Sequence, residues 1–183
     1  MKSLQQIATL PLILTLGIAS WYFVFHILPG YDIKAASGGL ESLDIRWTYT
    51  KSDVTQLFSA LNTNGERTYK DFLLIEMVYP LIYGSLLILS MIYLKGKMGR
   101  LGKITFWMSF LPISVVLFDF AENLNTWKML SSFPTLSESA VHFGSTVTML
   151  KWYSASICTG LVICDLLAVI WRNLLWKWRQ NSL

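Results

Sequence analysis

The apolar residues of this chain are gathered into four long blocks and do not alternate with polar residues. The corresponding predicted spans cover about residues 7–28, 72–94, 104–124 and 148–171. Each block has about the 20 residues that a helix needs to cross the roughly 30 Å hydrocarbon core of a bilayer. Membrane barrel strands, by contrast, alternate between apolar and polar residues. The pattern therefore predicts an all-α fold, a four-helix transmembrane bundle that forms one domain over residues 1–183.

The stretch between the first two spans, residues 29–70, predicts a long loop that contains a short amphipathic helix. Apolar side chains recur in it at the spacing of one helical face, at Val54, Leu57, Phe58 and Leu61. Ser52 is the predicted N-cap of this helix and Gly65 its predicted stop. Thr68 is the predicted N-cap of the second span. Such a helix is expected to lie on the bundle or in the headgroup layer.

Local signals leave some limits of the spans open. Pro80 and Pro112 lie within the second and third blocks and predict kinks there. Ser137 and Ser139 offer the fourth helix an earlier start than residue 148. The first block also has the charge pattern of a signal peptide, but cleavage near residues 17–19 would leave an apolar end. An uncleaved membrane anchor is therefore favoured.

Composition and charge support a membrane protein and predict its orientation. The chain has 54% hydrophobic and 14% charged residues, which is more apolar than an ordinary soluble domain. Basic residues without acids gather in the short middle loop and the tail, at Lys95, Lys97, Arg100, Lys103, Arg172, Lys177 and Arg179. The positive-inside rule then predicts cytoplasmic termini, and a first loop on the outer side of a cell membrane. Membrane lipids are the expected partners of the net charge of +4, and no nucleic acid is expected.

Ionisable residues inside the spans are the most informative feature for function. When helices are counted at about 1.5 Å per residue from their cytoplasmic ends, several of these residues fall at a similar depth of about 22–30 Å. They are Glu76, Asp119, Glu122, Lys151 and His26. Charged groups at membrane depth are costly, so these side chains are expected to point inward and to pair with one another.

Neighbouring residues extend this predicted cluster. Helical spacing places Asn123 on the face of the third-span carboxylates, and Tyr79 and Tyr83 on the face of the second-span carboxylate. Arg46 or Arg67 in the first loop is expected to reach the cluster from above. The arrangement predicts either an outward-facing polar pocket or an ion-pair network that only fixes the register of the helices. The sequence favours neither interpretation over the other.

Asp165 stands apart from the cluster, about 9 Å from the cytoplasmic end of the fourth span. The expected partners are basic residues of the middle loop or the tail, namely Lys97, Arg100, Lys103 or Arg172. A structural ion pair is favoured there over a proton relay.

The sequence contains no diagnostic motif for a metal, a cofactor or nucleophilic catalysis. Neither His26 nor His142 lies in an HExxH or ExxH pattern, and the spacing of Asp119 and Glu122 alone is a weak metal signal. No phosphate-binding glycine loop, nucleophile elbow or CxxC motif occurs. No metal or cofactor is therefore expected.

Three families share parts of this layout. Claudin-like proteins and vitamin K epoxide reductase-like enzymes resemble it in having four spans and a long first outer loop. Both need paired cysteines, whereas the only cysteines here are Cys158 and Cys164, which lie too far apart on one helix for a disulfide. Four-helix sterol-isomerase-like proteins also place carboxylates and aromatic side chains in a membrane pocket, a similarity of layout alone.

Three functions are compatible with these observations. The favoured one is the binding of a lipid-like small molecule or a partner membrane subunit at the polar cluster, because no motif demands chemistry. The second is a membrane enzyme in which Glu76 or Asp119 acts as an acid or base on a lipid-like substrate, with Lys151 or Arg46 holding negative charge. The third is a proton- or ion-coupled transporter, which would need a homo-oligomer because four helices leave little room for a path.

Overall fold

The computed structural model describes residues 2–181, and it describes no side chain at Lys2, Ser3, Trp176, Lys177, Arg179 and Asn181. The side chains of two basic residues of the tail, Lys177 and Arg179, are thus not described. The α-helices are α1 (Lys2–Ile7), α2 (Leu10–Tyr22), α3 (Ile33–Ala36), α4 (Lys51–Ala60), α5 (Thr63–Glu76), α6 (Tyr79–Lys97), α7 (Arg100–Ile104), α8 (Pro112–Ser132) and α9 (Glu138–Asn181). A π-helical turn (Phe23–Ile27) and a 3-10 turn (Leu28–Gly30) continue α2, and a 3-10 segment (Phe106–Phe110) precedes α8.

The all-α fold class is confirmed. The model is 82% helical, and the described residues form no strand. In the described part of the chain, four helical segments are long and apolar enough to cross a membrane, at Leu10–Ala36, Thr63–Lys97, Phe106–Ser132 and Glu138–Leu175. By length and composition the chain therefore fits a multi-pass membrane protein.

The predicted amphipathic helix exists as α4, although its limits differ from the prediction. Its N-cap is Thr50, not Ser52, and Thr50 forms a reciprocal capping box with Asp53. The apolar face of α4 is buried, with Val54 and Leu57 fully enclosed. A capping box satisfies two backbone N–H groups at once, which explains why the helix begins two residues earlier than the apolar pattern suggests.

The second span begins earlier than the sequence predicts. Asn62 caps α5 through a hydrogen bond of 2.8 Å from the Gly65 N–H to its side-chain oxygen. Gly65 therefore lies in the first turn of a helix and does not stop one, and the predicted cap at Thr68 is wrong. A β-carbon at Gly65 would lie 3.2 Å from the Ala36 carbonyl oxygen. The glycine thus permits close contact between α5 and the end of α3.

The two prolines mark helix starts rather than kinks within long helices. α5 ends at Glu76, and Pro80 lies in the first turn of α6. Pro112 is the first residue of α8 and follows the 3-10 segment. Proline has no backbone N–H to donate, and the first turn of a helix is where that loss costs least. The start of α9 at Glu138 agrees with the earlier start that Ser137 and Ser139 offered, rather than with a start at residue 148.

A cap made of residues 33–62 covers one end of the bundle, which we call the capped end. Its apolar side chains pack with those of α5, α8 and the start of α9 in one buried core; the fully enclosed members include Leu43, Val54, Leu57, Tyr69 and Leu73. The helices extend beyond the predicted spans because this packing continues their apolar faces past the membrane-length segments. The opposite end carries α7 and the lysines of α6, and we call it the basic end.

Helix packing leaves the first span at the edge of the molecule. α8 packs along α9, and α6 contacts α2, α8 and α9. No described residue of α2 is buried, in contrast to the several buried residues of α6 and α8. The first span therefore makes most of its contacts with other helices through α6.

Candidate functional site

A cavity of about 400 Å³ lies beneath the cap, among α6, α8 and α9. Its polar lining comes from Asp44, Glu76, Tyr79, Tyr83, Asp119, Lys151 and Thr159. Its apolar lining comes from Leu28, Ile45, Leu86, Leu87, Val115, Trp152 and Ala155. The volume falls within the range of about 300–1,000 Å³ that is usual for small-molecule pockets.

The cavity reaches the surface within the membrane-length part of the molecule. Leu28 lies in the 3-10 turn that continues the first span, whereas Ala155 and Thr159 belong to α9, so the cavity lies between these two elements. Thr159 is exposed and lies well inside the fourth candidate span. The opening therefore faces the surface that hydrocarbon is expected to cover.

Lys151 is held by carboxylates of α8. Its ammonium group forms an ion pair with the Glu122 carboxylate, and its Nζ lies 3.9 Å from Asp119 Oδ1. The Thr148 hydroxyl donates a hydrogen bond of 2.5 Å to Glu122. Glu122 is 1% exposed, so its carboxylate lies behind the cavity wall, whereas Lys151 itself lines the cavity. The positive charge of Lys151 is consequently committed to α8.

Asp119 faces the cavity and is already hydrogen-bonded. The Tyr83 hydroxyl donates to Asp119 Oδ2 at 2.6 Å, and the Asn123 amide donates to Oδ1 at 3.5 Å. Asn123 itself is completely buried. Because Asp119, Glu122 and Asn123 follow helical spacing, one face of α8 supplies both the wall of the cavity and the ion pair behind it.

Glu76 differs from the other buried acids, because its carboxylate has no partner among the described residues. Only 9% of its surface is exposed, and its Oε2 atom is enclosed without a hydrogen bond. α5 ends at Glu76, and the chain turns at Met77 and Val78 before α6 begins. This break directs the side chain into the cavity lining. A buried carboxylate without a partner is strongly unfavourable unless something else neutralises it.

Asp44 of the cap is the second carboxylate of the cavity lining whose side chain is unpaired within residues 2–181. Its Oδ1 atom is enclosed and accepts no hydrogen bond, although the residue lines the cavity. The Trp152 indole N–H donates to the Asp44 backbone oxygen at 3.0 Å and thereby fixes this part of the cap over the cavity. Asp44 and Glu76 therefore add two unpaired acids to the same chamber.

The cap is anchored to the helices next to the cavity. The Tyr49 N–H donates to the Ser145 hydroxyl at 2.9 Å, and the Tyr49 ring is buried against the start of α9. Burial raises the pKa of the Tyr49 hydroxyl well above its usual range. At the start of α4, hydrogen bonds from Thr50 hold the pKa of Asp53 below its usual range. These contacts determine where Asp44 lies.

Two predicted members of the cluster lie elsewhere. His26 is exposed, and its ring stacks on Tyr22 with 4.8 Å between centroids. Arg46 stays within the cap, where it donates to the Glu41 carbonyl oxygen at 2.5 Å and lies 3.9 Å from the Asp53 carboxylate. Neither side chain lines the cavity. Arg67, the predicted alternative to Arg46, is exposed and also lies outside the cavity lining. The structure brings the other predicted residues together, either in the cavity wall or directly behind it.

Several lining residues were not predicted from the sequence. Ala155 and Thr159 follow Lys151 at intervals of one helical turn, so helical spacing alone would have indicated them. Trp152 is an aromatic residue of the kind expected at a membrane interface, and the sequence does not indicate its contact with the cap. Asp44 has no such signal, because its position depends on how the cap folds onto the bundle.

Asp165 forms a separate ion pair at the basic end. Its carboxylate lies 2.7 Å from Lys95 Nζ, and both side chains are almost completely enclosed. The expected partners were Lys97, Arg100, Lys103 or Arg172, so this prediction is wrong. Lys95 belongs to the last turns of α6 and not to a loop, and α6 packs directly on α9. Helix packing therefore brings it to Asp165.

Comparisons with known proteins give no indication of function, so the interpretation rests on the site itself. Comparison of the chain with protein-family models, with curated proteins and with solved structures found no match. In the described part of the chain, no group of three or more His, Cys, Asp or Glu residues has the arrangement to hold a metal ion. The function must therefore be inferred from the cavity and its unpaired carboxylates.

Proposed function

We propose that the protein binds an amphipathic small molecule, which enters the cavity beneath the cap from the surrounding lipid. The observation that carries this proposal is the cavity of about 400 Å³ into which Glu76 projects without a partner in residues 2–181. A network that served only to fix the helix register would have closed around this side chain. The carboxylate instead borders open space.

The two parts of the lining match the two parts of an amphiphile. Leu86, Leu87 and Val115 supply an apolar wall toward the middle of the bundle, whereas Glu76 and Asp44 lie beneath the cap. A few polar groups in a mainly apolar cleft are typical of small-molecule sites, because the apolar wall supplies binding energy and the polar groups fix orientation. An apolar tail would lie along α6 and α8, with a polar head under the cap.

Access from the membrane follows from the position of the opening. The exposed residue Thr159 borders the cavity at membrane depth, and the first span packs only loosely beside it. An amphiphile dissolved in lipid therefore needs no passage through water to reach the site. If the capped end faces outward, as the basic residues predict, the ligand comes from the outer leaflet.

Photo-crosslinking tests the proposal directly. Three diazirine-bearing decyl amphiphiles with amine, hydroxyl or sulfate heads are added to the protein in lipid nanodiscs, and labelled residues are mapped by mass spectrometry. At least one probe should label Tyr79, Tyr83 or Asp119, and excess unlabelled amphiphile should compete. Ala155→Trp should fill the cavity and abolish this labelling.

A second tryptophan variant serves as the matched control. Ile157→Trp adds the same side chain to the same helix at a position that is 59% exposed and lies outside the cavity. It should leave the labelling unchanged. Labelling that is absent for all three probes, or that survives Ala155→Trp, would refute a ligand site at this cavity.

A further inference from the structure

We propose, building on the ligand site above, that the occupant carries a positive charge: the head of the amphiphile is a protonated amine, and its ammonium lies against Glu76 and Asp44. The cavity and its surroundings hold four carboxylates, those of Asp44, Glu76, Asp119 and Glu122, and one ammonium group, that of Lys151, in the described structure. Counted with ionised carboxylates, four acids against one ammonium leave a formal charge of −3, and a cation is the ligand that compensates it.

The single lysine does not balance the excess acid. Lys151 forms its ion pair with Glu122 and lies 3.9 Å from Asp119. Asp119 also accepts hydrogen bonds from Tyr83 and Asn123. These contacts occupy the acids of α8. Within the described residues, Asp44 of the cap and Glu76 of α5 form no ion pair.

Glu76 supplies the observation that points to a ligand. Its side chain is nine-tenths buried and lines the cavity, and its enclosed oxygen has no donor within the described residues. Asp44, in the cap, contributes a second enclosed oxygen to the lining. An ammonium group has several N–H donors in one small volume and can satisfy two carboxylates at once.

Alternative head groups fit this lining less well. An anionic head would have to approach Lys151, whose charge Glu122 already neutralises, and would meet Glu76 and Asp44 as like charges. A neutral hydroxyl offers one hydrogen and leaves the excess charge in place. The rings of Tyr79 and Tyr83 also line the cavity, with centroids 5.0 Å apart, and aromatic faces attract cations.

The test compares three head groups on one tail. Decylamine, decanol and decyl sulfate are titrated at neutral pH into the protein in zwitterionic nanodiscs, and the signal of empty nanodiscs is subtracted. The amine should bind most tightly. In Glu76→Gln its affinity should fall about tenfold, the factor that one charge-assisted hydrogen bond supplies, whereas decanol binding should change less than about twofold.

Two further variants make the result specific. Asp44→Asn should weaken the amine in the same way, and it gives an independent answer if Glu76→Gln does not fold. Asp71→Asn removes an exposed acid from the same helix as Glu76, outside the cavity, and should change nothing.

The outcomes separate this inference from the proposed function. Equal binding of all three heads, or tighter binding of decyl sulfate, would overturn the cationic ligand and leave the amphiphile site standing. Amine binding that is unaffected by both Glu76→Gln and Asp44→Asn would also overturn it. Saturable binding of none of the probes would instead count against the proposed function itself.

Discussion

The two ends of the bundle bury charge in opposite ways. At the basic end, one lysine meets one aspartate at 2.7 Å, and Lys95 and Asp165 enclose each other almost completely. At the capped end, Lys151 meets two carboxylates of α8, and two further carboxylates, those of Asp44 and Glu76, line the cavity without hydrogen-bond partners among residues 2–181. The first arrangement is complete, whereas the second needs another component.

The difference separates structural from ligand-dependent charge. A buried pair with matched charges offsets much of the desolvation cost of its members, so it can serve packing alone. Unmatched acids in a low-dielectric region carry that cost without compensation. Such a cost persists where a ligand relieves it, which is why the capped end and not the basic end carries the proposed site.

The largest expected effect comes from opening the closed pair. Lys95→Met leaves Asp165 without a counter-charge and should lower the free energy of unfolding by about 3–5 kcal/mol, measured by reversible unfolding in SDS–detergent mixtures. The double variant Lys95→Met/Asp165→Leu should recover most of this loss, because no isolated charge remains. A negligible effect of the single variant would contradict the structural role of the pair.

A smaller effect is expected where the cap meets α9. The β-carbon of Gly144→Ala would lie 2.3 Å from the Tyr49 hydroxyl oxygen and 2.5 Å from the Asn125 amide nitrogen. We expect a cost of about 1–3 kcal/mol from this overpacking, with weaker amine binding because the cap carries Asp44. Gly160→Ala is the control, since nothing lies within 4 Å of its β-carbon. Equal stability of both variants would show that the cap is not docked there.

Loss of the capping box tests whether the cap holds the site. Thr50→Ala should cost about 0.5–2 kcal/mol of unfolding free energy, whereas Thr55→Ala, at an exposed position within α4, should cost nothing. Amine binding should weaken only in Thr50→Ala. Thermal unfolding of both variants measures this difference, and identical unfolding curves would argue against the capping box.

Acid should weaken the cap through Asp53, the partner of Thr50 in the capping box. Because the pKa of Asp53 is lowered in the folded protein, its contribution to stability is complete above the unfolded pKa of about 3.9 and is lost as the pH falls through the lower folded value. Stability measured across this acid range should fall less steeply in Asp53→Asn than in the parent. An identical slope would contradict the contribution.

The smallest expected effect is the most informative for the comparison. In the ligand-free protein, Glu76→Gln removes a carboxylate that has no partner within the described structure, so the free energy of unfolding should not fall. Asp165→Asn makes the same chemical change in a closed pair and should cost several kcal/mol. If both variants lose similar stability in SDS unfolding, the two ends do not differ as the structure indicates.

Much of the architecture follows from sequence because it depends on local periodicity. The apolar blocks specify the four membrane-length helical segments, and the spacing of Val54, Leu57 and Phe58 specifies α4. Helical spacing also places Asp119, Glu122 and Asn123 on one face. The predicted helix limits were less accurate. Asn62 and Thr50 act as N-cap residues only in the backbone geometry that residues 33–62 adopt when they pack on the bundle.

What the sequence by itself determined is therefore the number of spans, their helical character and the presence of costly polar groups inside them. Tertiary structure alone decided which of these groups are satisfied. Pairing of Lys95 with Asp165, the ion pair of Lys151 with Glu122, and the arrival of Asp44 above Glu76 all join residues that are distant along the chain. Periodicity records the face of a helix on which a residue lies, whereas the neighbour of that face depends on packing between helices.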